Sequence, residues 1–541
     1  MLSHSTDEAF NDPSADIVVC SSDNVVLKLH KVILALASDF FKDMFGLPQP
    51  SSISLKVNDD GFGRADTVDE LPAIRASEPS VVLNKLFRLC YPLDDPSLET
   101  IEEVRGVLTA ALKYDLRKAI QIARRRLREL IPSASLRVYA IACKLSLAEE
   151  AQAAATAVRE QMVQNTYVEE LEEIPIGAYH RLLYYCSSPN FVPDPGFFCH
   201  GHGNRSESTK VNHPAATITS FAPSLSMKSA TASLSVVTTY PTGADDTDVV
   251  VRSCDGAEFH LYRVILRHSS PVLWSQLLES PDAACVVITE PGYIISIILS
   301  IINPFAARDA PLTDLVEIHS ALVAAKKYKM KKAIHYLEDV LVRERDKFSH
   351  DDALILYAVA CYHDMRELAL TAARYTLRKD LTSTLQPRLN NVDITAGYLF
   401  RLLNYRRRCV TAVRRIFDNT EWLNVEWADK LILSNSCRRG YFTTKPCWYN
   451  SYMNSLSKIE LPDSAAALQD DLLTNALVSM SGCHSCTTSR GGTNTLLAFA
   501  RYAADSITHM EHQVKPGSFE PISFVYYYAD LDGLRSQWSG R

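Results

Sequence analysis

No apolar run in the chain is long enough to cross a bilayer. The most lipophilic stretch, residues 293–302, falls well short of the roughly 20 residues that a spanning helix needs, and it reads as a buried helix. The opening MLSHSTDEAFNDPSADIVV is acidic and has no apolar h-region, so no secretory leader is expected. A Walker loop, a G-x-G-x-x-G turn, a G-x-S-x-G elbow and an H-E-x-x-H helix are all missing, which leaves no residue on which to place a catalytic mechanism. Positive charge is not in surplus either: a net charge of -7 offers no global basic field to nucleic acid or an anionic membrane. The 13 cysteines, odd in number and scattered through apolar contexts, do not form a disulfide framework and read as reduced core thiols of an intracellular protein, cytoplasmic or nuclear.

What is present is a soluble globular composition, 47% hydrophobic over 541 residues, which suggests roughly three or four domains. Residues 16–45 organise the rest. Ile17 to Cys20 is a continuous apolar run, Ser21-Ser22-Asp23-Asn24 supplies a turn, and Val25, Leu27 and Leu29 alternate with Val26, Lys28 and His30 as in a second strand. Val32, Ile33 and Leu36 change the period to about 3.6, predicting a helix, and Ser38 caps a second one carrying Phe40, Phe41, Met44 and Phe45.

This order returns without a gap at residues 247–277. Asp16, Asp23, Leu29, Leu34 and Ser38 meet Asp248, Asp255, Leu261, Leu266 and Ser270, and further matches run on through Lys113-Tyr114 with Lys327-Tyr328, Tyr139 with Tyr357, and Arg181 with Arg401. The chain is a tandem repeat whose unit includes a helical extension. Residues 51–71 read as a loop, 81–91 as a helix, and 98–130 as two amphipathic helices. Residues 187–245 are rich in Ser, Thr, Pro, Gly and Asn and are expected to be a disordered linker. The tail beyond Tyr405 has no counterpart in the first half, and helices are expected at 462–481 and 495–511.

Asp16 on the first strand, His30-Lys31 at the strand–helix junction, Leu34, Ser38 and Phe41 together resemble the opening of the BTB/POZ fold, as found in tandem in expanded fungal families. The resemblance implies an α+β, mostly helical chain: two BTB/POZ-like units, each a small β-sheet packed on helices with a helical extension, and a C-terminal helical region. The boundaries are residues 1–131 for the first domain, 132–186 for its extension, 187–245 for the linker, 246–345 for a second, divergent domain, 346–405 for its extension, and 406–541 for the Cys- and Trp-containing tail.

The resemblance further implies a non-enzymatic protein–protein interaction scaffold that associates with itself or with other BTB proteins. A substrate adaptor of a cullin-type ubiquitin ligase is the alternative, and a transcriptional regulator a minor one. The few residues before Asp16 leave the family's exchanged N-terminal strand unaccounted for. In place of the adaptors' hydrophobic-x-Glu element stands Leu47-Pro48-Gln49.

Candidate interaction residues are Phe41, Met44, Phe45 and Leu47, with Trp274, Leu277 and Leu278 in the second copy. Asp16 and His30 are assigned a structural hydrogen bond at the strand–helix junction, because Tyr262 replaces His30 in the repeat while Asp248 is retained. Cys483-x-x-Cys486 with Cys437 and Cys447 resembles a zinc set, but the nine residues between the last two do not fit a second pair. No metal, cofactor or small-molecule substrate is therefore assigned. The basic clusters Arg124–Arg128 and Lys326–Lys332 read as solvated faces, and Arg406–Arg415, at a unit boundary, as a candidate phosphate or nuclear-import contact.

Overall fold

The computed structural model describes residues 3–4, 7–46, 67–68, 71–200, 237–239, 247–279, 284–303, 312, 314–348, 352–417, 422–432, 445–458, 467–481, 483 and 492–514. These form two compact units, the first built mainly from residues up to 200 and the second from residues 237 onward.

In the first unit, β1 (Ser3–His4), β2 (Ile17–Cys20), β3 (Val25–Leu29), β4 (Thr67–Val68) and β5 (Leu71–Arg75) make one sheet in the order β1-β3-β2-β5-β4. β2 and β3 are an antiparallel hairpin with Ile17 opposite Leu29 and Cys20 opposite Val26, and β5 runs parallel to β2. The hairpin turns at Asn24, whose φ of 62° is in the left-handed region that asparagine tolerates better than most residues. The β2 run is apolar throughout because both faces are covered: Val18 and Cys20 pack with Val26, Leu71 and Ala73 away from the main core. Strict alternation in β3 consequently fails at Val26, which is buried. Residue 71, the end of the expected loop, begins β5.

The helices of this unit are α1 (Lys31–Ala37), α2 (Asp39–Gly46), α3 (Ser80–Arg88), α4 (Ile101–Lys113), α5 (Arg117–Glu129), α6 (Ile131–Lys144), α7 (Ala148–Gln161), α8 (Ile176–Ser187) and α9 (Phe197–His200). α4 starts with a full capping box between Thr100 and Glu103, which satisfies donors that the first turn leaves open. The expected linker begins later than its composition suggests, since Phe197 and Phe198 are buried; Phe198 sits edge-on to Tyr139 at 5.7 Å and Tyr185 at 5.3 Å. Two large rings supply enough apolar area to hold a short, otherwise polar segment in place. Residues 201–236 lie outside the described ones.

The second unit opens with β6 (Val237–Thr239), β7 (Val249–Arg252) and β8 (Glu258–Leu261), continues with α10 (Arg263–Ser269), α11 (Pro271–Glu279), β9 (Cys285–Val287), α12 (Gly292–Ile302), α13 (Leu315–Lys327), α14 (Lys331–Arg343), α15 (Ala353–Tyr362), α16 (Arg366–Tyr375) and α17 (Ala396–Phe417), and ends with α18 (Val425–Ile432), α19 (Cys447–Leu456), α20 (Asp470–Met480) and α21 (Thr493–Gln513). Its sheet order, β6-β8-β7-β9, repeats β1-β3-β2-β5 with the same parallel and antiparallel pairings.

The likeness extends to individual bonds. Ser38 Oγ donates to the Tyr114 carbonyl at 2.5 Å, and Ser270 Oγ to that of Tyr328 at 2.7 Å. Glu78 accepts from Lys113 and Tyr114, Glu290 from Lys327 and Tyr328. Left-handed backbone recurs at Asn24 and Gly256, Asp115 and Lys329, and Ser146 and Asp364. The tail helices α18 to α21, joined by Val413 of α17, enclose a separate aromatic core around Phe499, with Trp427 at 5.2 Å and Trp448 at 5.3 Å. Among the described residues, no helix is long and apolar enough to cross a membrane.

Candidate protein-interaction surface

The strand–helix junction sets the direction of α1. Asp16 Oδ1 accepts from the Lys31 backbone N–H at 2.7 Å, and Asp248 Oδ1 accepts from Arg263 N–H at 2.6 Å, so the carboxylate that survives in both copies holds the first turn of the helix. His30 bonds elsewhere: its Nε2 is 3.0 Å from Ser14 Oγ and its Nδ1 3.1 Å from Tyr91 Oη. Asp16 and His30 thus serve the same junction through different partners. Ser14 Oγ already donates to Asp12 Oδ1 at 2.7 Å, which makes His30 Nε2–H the donor to Ser14 and leaves Nδ1 to accept from Tyr91. The Ser14 hydroxyl thus donates to the Asp12 carboxylate and accepts from His30, and the cluster is a closed hydrogen-bond chain. Burial pushes the Tyr91 hydroxyl up to about 12, keeping it a donor at neutral pH.

Along α1, Leu34 faces the core, while Val32 (63% exposed) and Leu36 (85%) lie one turn apart on the outer face. Phe40, at the start of α2, remains 43% exposed with its ring edge-on to Tyr114. These three apolar side chains are close in sequence and turned to solvent, as an interaction surface requires. Phe41 is buried, stacked on Tyr114 at 5.5 Å, and is a core residue; Met44 and Phe45 are half-buried, Phe45 against Phe41. Leu47 lies outside the described residues.

In the second unit, Leu277 is likewise core, Trp274 is half-buried beneath the Arg267 guanidinium, and Leu278 is exposed. Val264 repeats the exposed Val32, but an exposed His268 occupies the Leu36 position. The sequence does contain Val32 and Leu36 at helical spacing. With one short helix, it cannot say which of its apolar residues face inward.

The other candidate groups do not assemble. Cys447 begins α19 and Cys483 is buried in the tail core, whereas Cys437 and Cys486 lie outside the described residues. Among the described residues, no three potential ligands cluster for a metal. Arg124 and Arg128 are not simply solvated: both reach the buried Glu150 at 2.8 Å from α5, and Arg128 also pairs with Glu149. Arg406 is buried and donates to the Lys379 carbonyl, so the third basic cluster does not present that residue at the surface.

The first unit is thus a small mixed sheet packed on helices, with exposed apolar side chains on α1 and at the start of α2. Residues 8–130 match the BTB/POZ domain, whose members are generally interaction modules rather than enzymes. No curated protein matches the chain.

Proposed function

We propose that the protein is a non-enzymatic interaction scaffold with two domains of BTB/POZ architecture, the second covering residues 246–345. The observation that carries the interaction role is the BTB/POZ match at residues 8–130, which brackets the α1–α2 surface of Val32, Leu36 and Phe40. Support for the second domain comes from its repeated strand order and from the Ser270–Tyr328 and Glu290–Lys327–Tyr328 bonds described above. The partners are other BTB-domain chains or a second copy of this one, engaged through apolar helix surface.

The test is affinity purification of the full-length chain from its native cells, followed by mass spectrometry, beside the variant Leu36→Glu. Recovery of the chain itself or of other BTB proteins, reduced in the variant, supports the scaffold. Stoichiometric recovery of a cullin-type protein instead makes the chain a ligase adaptor, and a purely chromatin-bound set of partners makes it a transcriptional regulator; either displaces the scaffold reading.

A further inference from the structure

Cys143 on α6 and Cys199 on α9 are 56 positions apart in sequence (199 − 143), yet each thiol reaches the backbone next to the other cysteine. Cys143 Sγ lies 3.7 Å from the Phe198 carbonyl and Cys199 Sγ 3.9 Å from that of Ala142. Arg181 of α8 completes the site, its Nη2 donating to the same Phe198 carbonyl at 2.8 Å and its charge acting on both sulfurs. The two thiols differ in surroundings. Cys143 is buried, and burial pushes its thiol well above the ordinary range. Cys199 is half-buried, and the neighbouring Cys143 thiol, aided by Arg181, lowers it despite partial burial. An accessible, acidified thiol backed by a second one is the arrangement that oxidation-sensitive dithiols require.

We propose that Cys143 and Cys199 are a reversible oxidation site, forming a disulfide that locks α9 onto α6. The co-reactant is a peroxide. The Cys199 thiolate attacks one peroxide oxygen, the O–O bond breaks, and the departing hydroxide takes a proton to leave as water, giving a sulfenic acid. Cys143 sulfur then attacks the sulfenyl sulfur, forming the S–S bond and expelling the hydroxyl, which leaves as water with the Cys143 proton. Two thiols and one hydrogen peroxide become one disulfide and two waters, and a dithiol reductant reverses the reaction. The bond would close the loop between α6 and α9 and add a covalent tie to a segment otherwise held by Phe197 and Phe198. The second unit provides an internal control: Cys361 lies beside Tyr357 and Arg401 as Cys143 lies beside Tyr139 and Arg181, but no second cysteine acts on it among the described residues.

The experiment exposes the reduced full-length chain to graded hydrogen peroxide, blocks remaining thiols with an alkylating reagent, and maps the cysteines by peptide mass spectrometry. A 143–199 linked peptide is expected to appear at lower peroxide than any loss of free Cys361, and to vanish with dithiothreitol. In Cys143→Ser, Cys199 should instead accumulate as a sulfenic acid trapped by dimedone, a readout that does not depend on the disulfide's effect on folding. The proposal is overturned if Cys199 stays reduced while Cys361 reacts, if Cys199 links to some other cysteine, or if Cys143→Ser leaves Cys199 untouched by dimedone.

Discussion

Single side chains here act mostly by satisfying backbone groups at turns between elements. Ser38 shows the economy of this: its hydroxyl donates to the Tyr114 carbonyl and accepts from the Phe41 N–H at 3.2 Å, tying the start of α2 to the end of α4. Ser38→Ala removes both bonds at a buried site, and denaturant unfolding should show a loss of about 1–3 kcal/mol. An unchanged midpoint would mean that the pair contributes nothing. A second residue-scale effect lies in the buried histidines of the second unit. His319 Nδ1 is 3.1 Å from His363 Nε2, and His363 Nδ1 has no partner among the described residues. Burial holds His319 down at about 4, opposed by Asp393, and His363 at about 3, where Lys326 and His319 itself add to the effect. Both folded values lie below the ordinary one, so the unfolded chain takes up protons first as pH falls. The stabilising contribution is therefore present above about 6.5 and lost as pH falls from there toward the folded values. Between pH about 7.5 and about 5 each histidine should cost roughly 2 kcal/mol of stability. The double variant His319→Asn with His363→Asn should lose that part of the pH slope whatever its baseline stability, and an undiminished slope would remove the histidines as its cause.

At the scale of elements, the periodic segments were legible in the sequence and the packing that gives them a face was not. The hairpin at residues 17–29 and the paired helices α4 and α5 follow from apolar spacing, and the helices expected at 462–481 and 495–511 correspond to α20 and α21 with shifted ends. β5 escaped because LPAIR carries a proline and too few apolar residues to stand out from the polar stretch before it; its place beside β2 supplies the rest. α9 escaped because its polar neighbours suggest disorder and only two buried rings argue otherwise. Around the junction, a structural bond at Asp16 was legible in the pattern, but that Phe41 and Leu277 turn inward while Leu36 is exposed was not, since burial depends on partners distant in sequence. The Cys143–Cys199 and His319–His363 contacts carry no local signal for the same reason. The tail helices are the clearest case of packing beyond pattern: Phe499 touches Trp422, Trp427, Trp448, Tyr449 and Tyr452. Phe499→Ala should destabilise this core by about 3–5 kcal/mol, read as the loss of its cooperative unfolding step by calorimetry. A loss under about 1 kcal/mol would mean that the rings are loosely packed.

Across the whole molecule, the two sheets share a strand order and the bonds at their edges but differ in the outward face of the helix that follows. The bonds that fix each hairpin to its helices are the same pair by pair: Asp16 with Asp248, Ser38 with Ser270, Glu78 with Glu290. The outward face of the first helix is not. Where the first unit exposes Val32, Leu36 and Phe40, the second has Val264, His268 and a half-buried Val272. If apolar helix surface carries binding, the two copies are unequal and the first should dominate. Leu36→Glu and Val264→Glu place a charge on already exposed positions, so neither should move thermal stability by more than about 0.5 kcal/mol. In the purification from native cells, Leu36→Glu should deplete the recovered BTB partners by on the order of tenfold, equivalent to about 1.4 kcal/mol, while Val264→Glu leaves them near the wild-type level. Equal depletion by both would assign binding to both units, and depletion by Val264→Glu alone would move the interaction surface to the second.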